Sequence, residues 1–276
     1  MKMSAGMASL VLTGVLATSA LGQGLIVDHT CTDLDKVPVQ AIEKAKAAFK
    51  VAYGHTSHGS QVVSGMQALA KAKPDLFGFG EGGGQKLAFL DYFAGGDLGG
   101  NWAQATRDFL NGRGKNQNVN AIMWSWCGQV SGASEEYIEK YLRNMTDLER
   151  DFPKIKFVYM TGHLDGSGTD GNLNKRNEQI REYCRKNGKV LFDFADIESY
   201  DPDGKVNYMA LHATDSCNYR DGGVTKNWAD EWLAKHPGEI ALPSSAAHTR
   251  PLNGALKGRA FWWMMARLAG WEPATN

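Results

Sequence analysis

Four of the seven histidines stand in short polar segments punctuated by glycine. Gly54-His55-Thr56-Ser57-His58-Gly59-Ser60 places two imidazoles and three hydroxyls within one turn. Cys127-Gly128-Gln129, Gly162-His163-Leu164-Asp165-Gly166 and Ala247-His248-Thr249 add a thiol, two imidazoles and a carboxylate. A hydroxyl acts as a nucleophile when a base lies within hydrogen-bond reach. Taken singly, Thr56, Ser57 and Ser60 are ordinary helix caps, and a lone histidine is more often structural than catalytic. A second chemistry is a metal centre: His55, His58 and His163, with Asp165 or Cys127 nearby, would give three histidines and an open position, as in catalytic zinc. His55 and His58 flank a turn rather than share a helix face, and no standard ligand spacing is met. No cofactor is therefore expected, with metal at His55, His58 and His163 as the alternative.

These segments matter because of what precedes them. Phe49–Tyr53, Ala121–Trp126, Phe157–Thr161 and Val190–Phe192 are short continuous apolar runs, the pattern of strands buried on both faces. Helical spacing predicts Val37–Ala48, Ser60–Lys71, Asn172–Lys186, Leu256–Leu268 and a helix capped by Ser134 and running to Phe152. Thr225–Lys235 reads as a short helix. Alternating strands and helices predict an α/β fold: three layers, a flavodoxin-like parallel sheet with helices on both faces. Ligands in such sheets bind outside the carboxyl ends of the strands, where the polar segments fall. A histidine just before the last helix can swing over that edge toward the first turn. Residues 23–276 are expected to form one domain, with loop insertions around 73–100 and 199–247. The first insertion holds many glycines but lacks the lysine and hydroxyl of a phosphate-binding loop. The acidic group Asp193, Asp196, Glu198, Asp201 and Asp203 fits no calcium loop and reads as a solvated strand end.

The layout resembles the SGNH (GDSL-type) hydrolases, α/β esterases with a flavodoxin-like sheet. Val51-Ala52-Tyr53-Gly54-His55-Thr56-Ser57 lies where that family has a strand followed by Gly-Asp-Ser. Cys127-Gly128 lies at its oxyanion glycine, and Tyr159-Met160-Thr161-Gly162-His163-Leu164-Asp165 at its strand and Gly-x-Asn-Asp. His248-Thr249-Arg250-Pro251-Leu252-Asn253-Gly254 resembles its catalytic histidine block. The resemblance implies a serine esterase. In strict register Thr56 is the nucleophile; one inserted residue makes it Ser57, the preferred primary hydroxyl, and Ser60 stays open. His248 would be the base. Ser245 stands where the family has its acid, so Asp165 or Asp196 would have to orient the imidazole. Leu164 replaces the oxyanion asparagine, and His163 would donate beside the Ser57 and Gly128 amides. Ser57→Ala and His248→Ala are each expected to abolish ester hydrolysis. His55, His58, Gly128 and Trp126 would contact substrate, Trp126 by stacking on a sugar ring. A small-molecule or polysaccharide ester, such as a carbohydrate O-acyl group, is the expected substrate. A non-catalytic carbohydrate-binding protein on the same fold is the alternative from another class.

Bulk composition narrows the partners. Lys2 is the only charge in the first 22 residues, an apolar run Ala8–Ala17 follows it, and Ala20-Leu21-Gly22 supplies small residues. This predicts a signal peptide, 1–22, and a secreted or periplasmic protein. Without Lys2 the 30 basic residues become 29 against 30 acidic ones, a formal net of −1. Near-neutrality gives no reason to expect nucleic acid, and no later apolar stretch suits a membrane. Four cysteines allow three full pairings; Cys31 with Cys217 is the expected bridge, and Cys184 a small core residue.

Overall fold

The computed structural model describes residues 24–274; the expected signal peptide, 1–22, lies outside them. Seven strands form one parallel sheet: β1 (Leu25–Val27), β2 (Lys50–Gly54), β3 (Phe79–Gly80), β4 (Leu87–Asp91), β5 (Ala121–Trp124), β6 (Lys156–Met160) and β7 (Val190–Phe192). Their spatial order is β1-β7-β6-β5-β2-β4-β3. The order reverses at β2, which pairs with β4 on one side and β5 on the other. A doubly wound sheet binds ligands at such a switch point, so the topology directs attention to the ends of β2 and β5.

The strands are apolar because both faces are covered. The helices α1 (Val39–Ala48), α2 (Ser60–Ala72), α3 (Pro74–Phe77), α4 (Trp102–Asn111), α5 (Arg113–Asn116), α6 (Glu135–Asp151), α7 (Asn172–Lys186), α8 (Phe194–Ile197), α9 (Trp228–Lys235) and α10 (Pro251–Leu268) divide between them. α1, α2 and α10 pack together on one face; α4, α6 and α7 line the other. The three-layer α/β arrangement expected from the alternation is present. Ser134 caps α6, accepting from the Tyr137 amide, and Ile138, Tyr141, Leu142, Met145 and Leu148 are its buried stripe.

Departures from the sequence reading have local causes. The 73–100 segment contains two strands, β3 and β4, which complete the sheet's edge. Thr225 is not helical, because β9 (Val224–Asn227) pairs antiparallel with β8 (Asn218–Asp221), and α9 starts only at Trp228. α10 begins at Pro251, five residues early, since proline suits a first helical turn. Among the described residues all four cysteines are free, so the expected Cys31–Cys217 bridge is not formed. Cys31 lies beside Asp28 at the β1 edge, whereas Cys217 touches Thr249. No helix among the described residues is long and apolar enough to cross a membrane.

One packing detail sets the site. α2 and α10 cross on glycines: a Cβ on Gly65 would stand 2.0 Å from the Gly254 carbonyl oxygen, and one on Gly258 would stand 2.2 Å from the Gly65 carbonyl carbon. Backbones that close bring the start of α2 and the segment before α10 to one place. His58 precedes the first and His248 the second.

Candidate functional site

Five loops meet at the β2/β5 switch point. His58, 7% exposed, is the hub. Its Nδ1 lies 3.1 Å from Cys127 Sγ, just beyond β5. Its Nε2 lies 3.0 Å from Asp215 Oδ2, in the insertion before β8. The His163 ring stacks on it at 3.8 Å and 1°, and the His248 ring at 4.4 Å and 13°. Cys127 is half-buried and Ser57 and His248 are exposed, so the column opens to solvent on one side.

The three candidate hydroxyls differ in what they already bond. Thr56 Oγ1 donates to Asp97 Oδ2 at 2.6 Å. Ser60 Oγ donates to the Ser57 carbonyl at 2.7 Å. Ser57 Oγ has Cys127 Sγ at 3.7 Å, and among the described residues no imidazole hydrogen-bonds it. His248 reaches the same rim through a left-handed backbone, φ 64°, a conformation usually held against strain by its surroundings. Its ring contact is His58 rather than Ser57.

The other expected residues divide. His163 turns Nδ1 to the Leu164 carbonyl, 2.8 Å away, and its Nε2 lies 4.0 Å from where a Gly128 side chain would begin. Asp165 is exposed and accepts from the Ser167 amide at 2.9 Å; no histidine hydrogen-bonds it among the described residues. Trp126 is buried, donates from Nε1 to the Met160 carbonyl, and packs on Tyr141. It lines a cleft of about 120 Å³ with Trp102, Tyr137 and Asn144. His55 points away from the column: its Nε2 lies 2.7 Å from Asp91 Oδ1, and its ring packs near Tyr53 and Tyr92. The trio His55, His58 and His163 therefore does not converge. The ligand-type groups that do are His58, His163 and Asp215, within 4.8 Å of one another.

Two networks hold the loops. Asp97 accepts from Thr56, from Gln129 Nε2 at 3.0 Å and from the Gly99 amide. Gln129 Oε1 in turn accepts the Cys127 amide at 2.8 Å, tying the turn after β2 to that after β5. The second network is buried. Lys257 of α10 and Glu198, both fully enclosed, pair at 2.6 Å. Glu198 also accepts the Leu164 amide, next to His163. Lys257 donates to Gln61 Oε1, and Gln61 donates to the Ala247 carbonyl, next to His248. Asn253 donates to Glu198 and to Thr249 Oγ1. One ion pair thus ties together the loops carrying all three stacked imidazoles. It also corrects the reading of the acidic segment as solvated: Asp193 and Glu198 are 2% and 1% exposed, and Asp193 is gripped by Arg181 at 2.6 and 2.8 Å.

The electrostatics follow from this packing. Burial is the main cause that lowers the His58 pKa from its ordinary 6.5; the Asp215 hydrogen bond opposes it, and the His163 and His248 rings add to it. For Asp215, burial alone would raise the carboxyl, but the His58 hydrogen bond and the charges of His163 and His58 outweigh it and hold it below its ordinary value. A neutral imidazole beside an ionised carboxylate is a base ready to accept a proton. The amides of Ser57, His58 and Gly128 have no protein acceptor among the described residues, so the turns after β2 and β5 offer donors to an anion at this rim.

In the sequence Cys127 stands out only as a metal neighbour and beside the oxyanion glycine, Glu198 only as one of a group of solvated acids, and Asp215 and Lys257 not at all. Asp215 sits in a turn-rich insertion, 157 positions from its partner, where no periodicity marks it.

No family model and no curated protein matches the chain. Solved structures similar to it include a mutant of Axe2, an acetyl-xylooligosaccharide esterase from Geobacillus stearothermophilus, at 11% identity and TM-score 0.39. A catalytic mutant of Axe2, described as an acetylxylan esterase from the same organism, matches at 12% and 0.40. Each alignment covers 83% of this chain and 97% of the other. Similarity at that level says nothing about what this chain acts on.

Proposed function

We propose that the protein is an ester hydrolase that works by acyl transfer through Cys127. The observation that carries this reading is His58, held between Cys127 Sγ at 3.1 Å and Asp215 Oδ2 at 3.0 Å. A nucleophile within reach of a base that a third group orients is the triad relation, recognised by geometry rather than by order along the chain. In this reading the Cys127 proton passes to His58 Nδ1 as sulfur attacks the ester carbonyl carbon, while Asp215 accepts from Nε2 and stabilises the imidazolium. The resulting oxyanion meets the amides of Gly128, Ser57 and His58, with His163 alongside; each such donor contributes on the order of 3 kcal/mol. Collapse expels the alcohol, which takes the proton from Nδ1 and leaves a thioester on Cys127. A water then attacks, giving its proton to His58, and the carboxylic acid departs as the thiol re-forms.

Ser57 lies beside the sulfur and is the second candidate nucleophile, with His248 stacked on the same base. Cys127 is preferred because it alone of the two hydrogen-bonds an imidazole. A carbohydrate O-acyl group is the substrate class we favour. The aromatic cleft of Trp102, Trp126 and Tyr137, continuous in sequence with Cys127 through Trp126, supports it. An exported protein, as the N-terminal sequence predicts, would meet such esters.

The test is a pair of variants assayed on p-nitrophenyl acetate and on an acetylated oligosaccharide. Cys127→Ala is expected to lose hydrolysis on both, and Ser57→Ala to stay within about tenfold of the parent. Loss in Ser57→Ala with activity retained in Cys127→Ala would reverse the assignment.

A further inference from the structure

The hub imidazole has two ring nitrogens with different neighbours, and this gives the site a second capacity. Nδ1 faces the thiol; Nε2 faces Asp215; the His163 ring lies stacked over the face between them. His58, His163 and Asp215 each present one ligand atom, all within 4.8 Å of one another. Two nitrogens and one carboxylate oxygen suit zinc, leaving an open fourth position. His163 already turns Nδ1 to the Leu164 carbonyl, the kind of backbone acceptor that fixes a metal-bound imidazole and directs Nε2 at the ion. Ligand atoms about 2.05 Å from a tetrahedral ion lie roughly 3.3 Å apart, so the cluster must contract and the parallel His58 and His163 rings must tilt. His163 is half-buried and its loop faces solvent, which leaves room for that movement.

We propose that His58, His163 and Asp215 bind one zinc ion, and that the bound ion switches off His58 as the base for Cys127. The ion takes the Nε2 lone pair and replaces the hydrogen bond to Asp215. A neutral imidazole bound to metal through Nε2 carries its proton on Nδ1. Nδ1 then faces Cys127 as a donor, with no lone pair left to accept the thiol proton. Zinc and acyl transfer exclude each other through one tautomer change, and Asp215 changes from orienting the base to holding the ion. The inhibition rests on the acyl-transfer reading; the binding does not.

The other cluster of this type among the described residues, Asp28, His29 and Asp196, serves as the internal comparison. There Asp196 Oδ1 already accepts from both the His29 amide and its Nδ1, at 2.9 and 2.5 Å. Tyr200 covers the ring.

The experiment uses chelator-treated full-length protein titrated with zinc by calorimetry, with cobalt as a spectroscopic substitute. One equivalent of zinc is expected. Affinity should fall at least about tenfold in His163→Ala and in Asp215→Asn and stay unchanged in His29→Ala. Bound zinc should slow both iodoacetamide alkylation of Cys127 and ester hydrolysis. The proposal is overturned by absence of stoichiometric binding, or by binding lost in His29→Ala and kept in the other two variants. A thiolate-to-cobalt charge-transfer band would also overturn it, since Cys127 would then be a ligand. Zinc that speeds hydrolysis would sink the inhibition and the thiol mechanism together. Protein that binds no zinc but still needs Cys127 for hydrolysis would sink this inference alone.

Discussion

His58–Asp215, at the centre of the rim, and His29–Asp196, at its β1 edge, are the same two groups at 3.0 and 2.5 Å. Their imidazole pKa values are shifted in opposite directions from 6.5. Burial opposes protonation in both. At the edge, the Asp196 hydrogen bond and the charges of Asp196, Asp28 and Asp193 outweigh burial and raise the His29 pKa. At the centre only one hydrogen-bonded carboxylate faces the ring, two further imidazoles stack on it, and the His58 pKa falls. The companion of the ring decides its chemistry. An imidazole among carboxylates becomes half of an ion pair. An imidazole between other imidazoles stays neutral and keeps a lone pair for a thiol.

The largest expected contrast is in turnover. His58→Ala should lower kcat by at least about 10⁴-fold, while His29→Ala should leave it within roughly threefold. Equal losses in steady-state ester hydrolysis would erase the distinction. Next come the carboxylates. Asp215→Asn should cost about 10²- to 10⁴-fold in kcat by fixing the wrong tautomer. Asp196→Asn should leave kcat alone and cost roughly 1 kcal/mol of stability in urea unfolding.

Each pair has a buried ion pair behind it: Arg181–Asp193, which accepts the Asp196 amide, at the edge, and Lys257–Glu198 at the centre. Lys257→Met would strand Glu198, at about 3 to 5 kcal/mol of stability. It should also loosen the His163 and His248 loops, seen as altered imidazole resonances in the NMR spectrum. Stability within about 1 kcal/mol of the parent would show the ion pair to be dispensable.

The smallest effect is on pH. His58, lowered from 6.5, binds its proton less readily folded than unfolded, so it removes stability as pH falls below 6.5. His29, raised from 6.5, contributes stability that is full below 6.5 and lost as pH rises through its folded pKa. Imidazole NMR titration should place the two midpoints on opposite sides of 6.5, and the acid limb of kcat/KM should fall below it. Both midpoints on one side would contradict the comparison.

How much of this the chain discloses depends on range. Strand identities rest on local patterns such as Val51–Tyr53 and Phe157–Met160, and these are legible. So is the placing of Ser57, His58, Cys127, His163 and His248 at the rim, because Gly54, Gly128 and Gly162 mark where strands stop, whereas His55 and Asp165 turn away from it and Asp215 joins it unmarked. Roles were not legible, because they depend on contacts between distant segments. Gly65 and Gly258 draw α2 and α10 together, and nothing local to His58 or His248 reports that. Asp215 lies in irregular backbone, and Glu198 shares its segment with exposed acids; burial alone separates Glu198 from Asp203. The thiol, read as a metal neighbour, becomes the base's partner only once β5 lies beside β2.

The central claim concerns which atom carries the acyl group. The direct measurement is intact-mass and peptide mapping of protein quenched during turnover of p-nitrophenyl acetate. The account predicts an acetyl adduct on the peptide containing Cys127, absent in Cys127→Ala. An adduct on Ser57, or full turnover by Cys127→Ala, would contradict it.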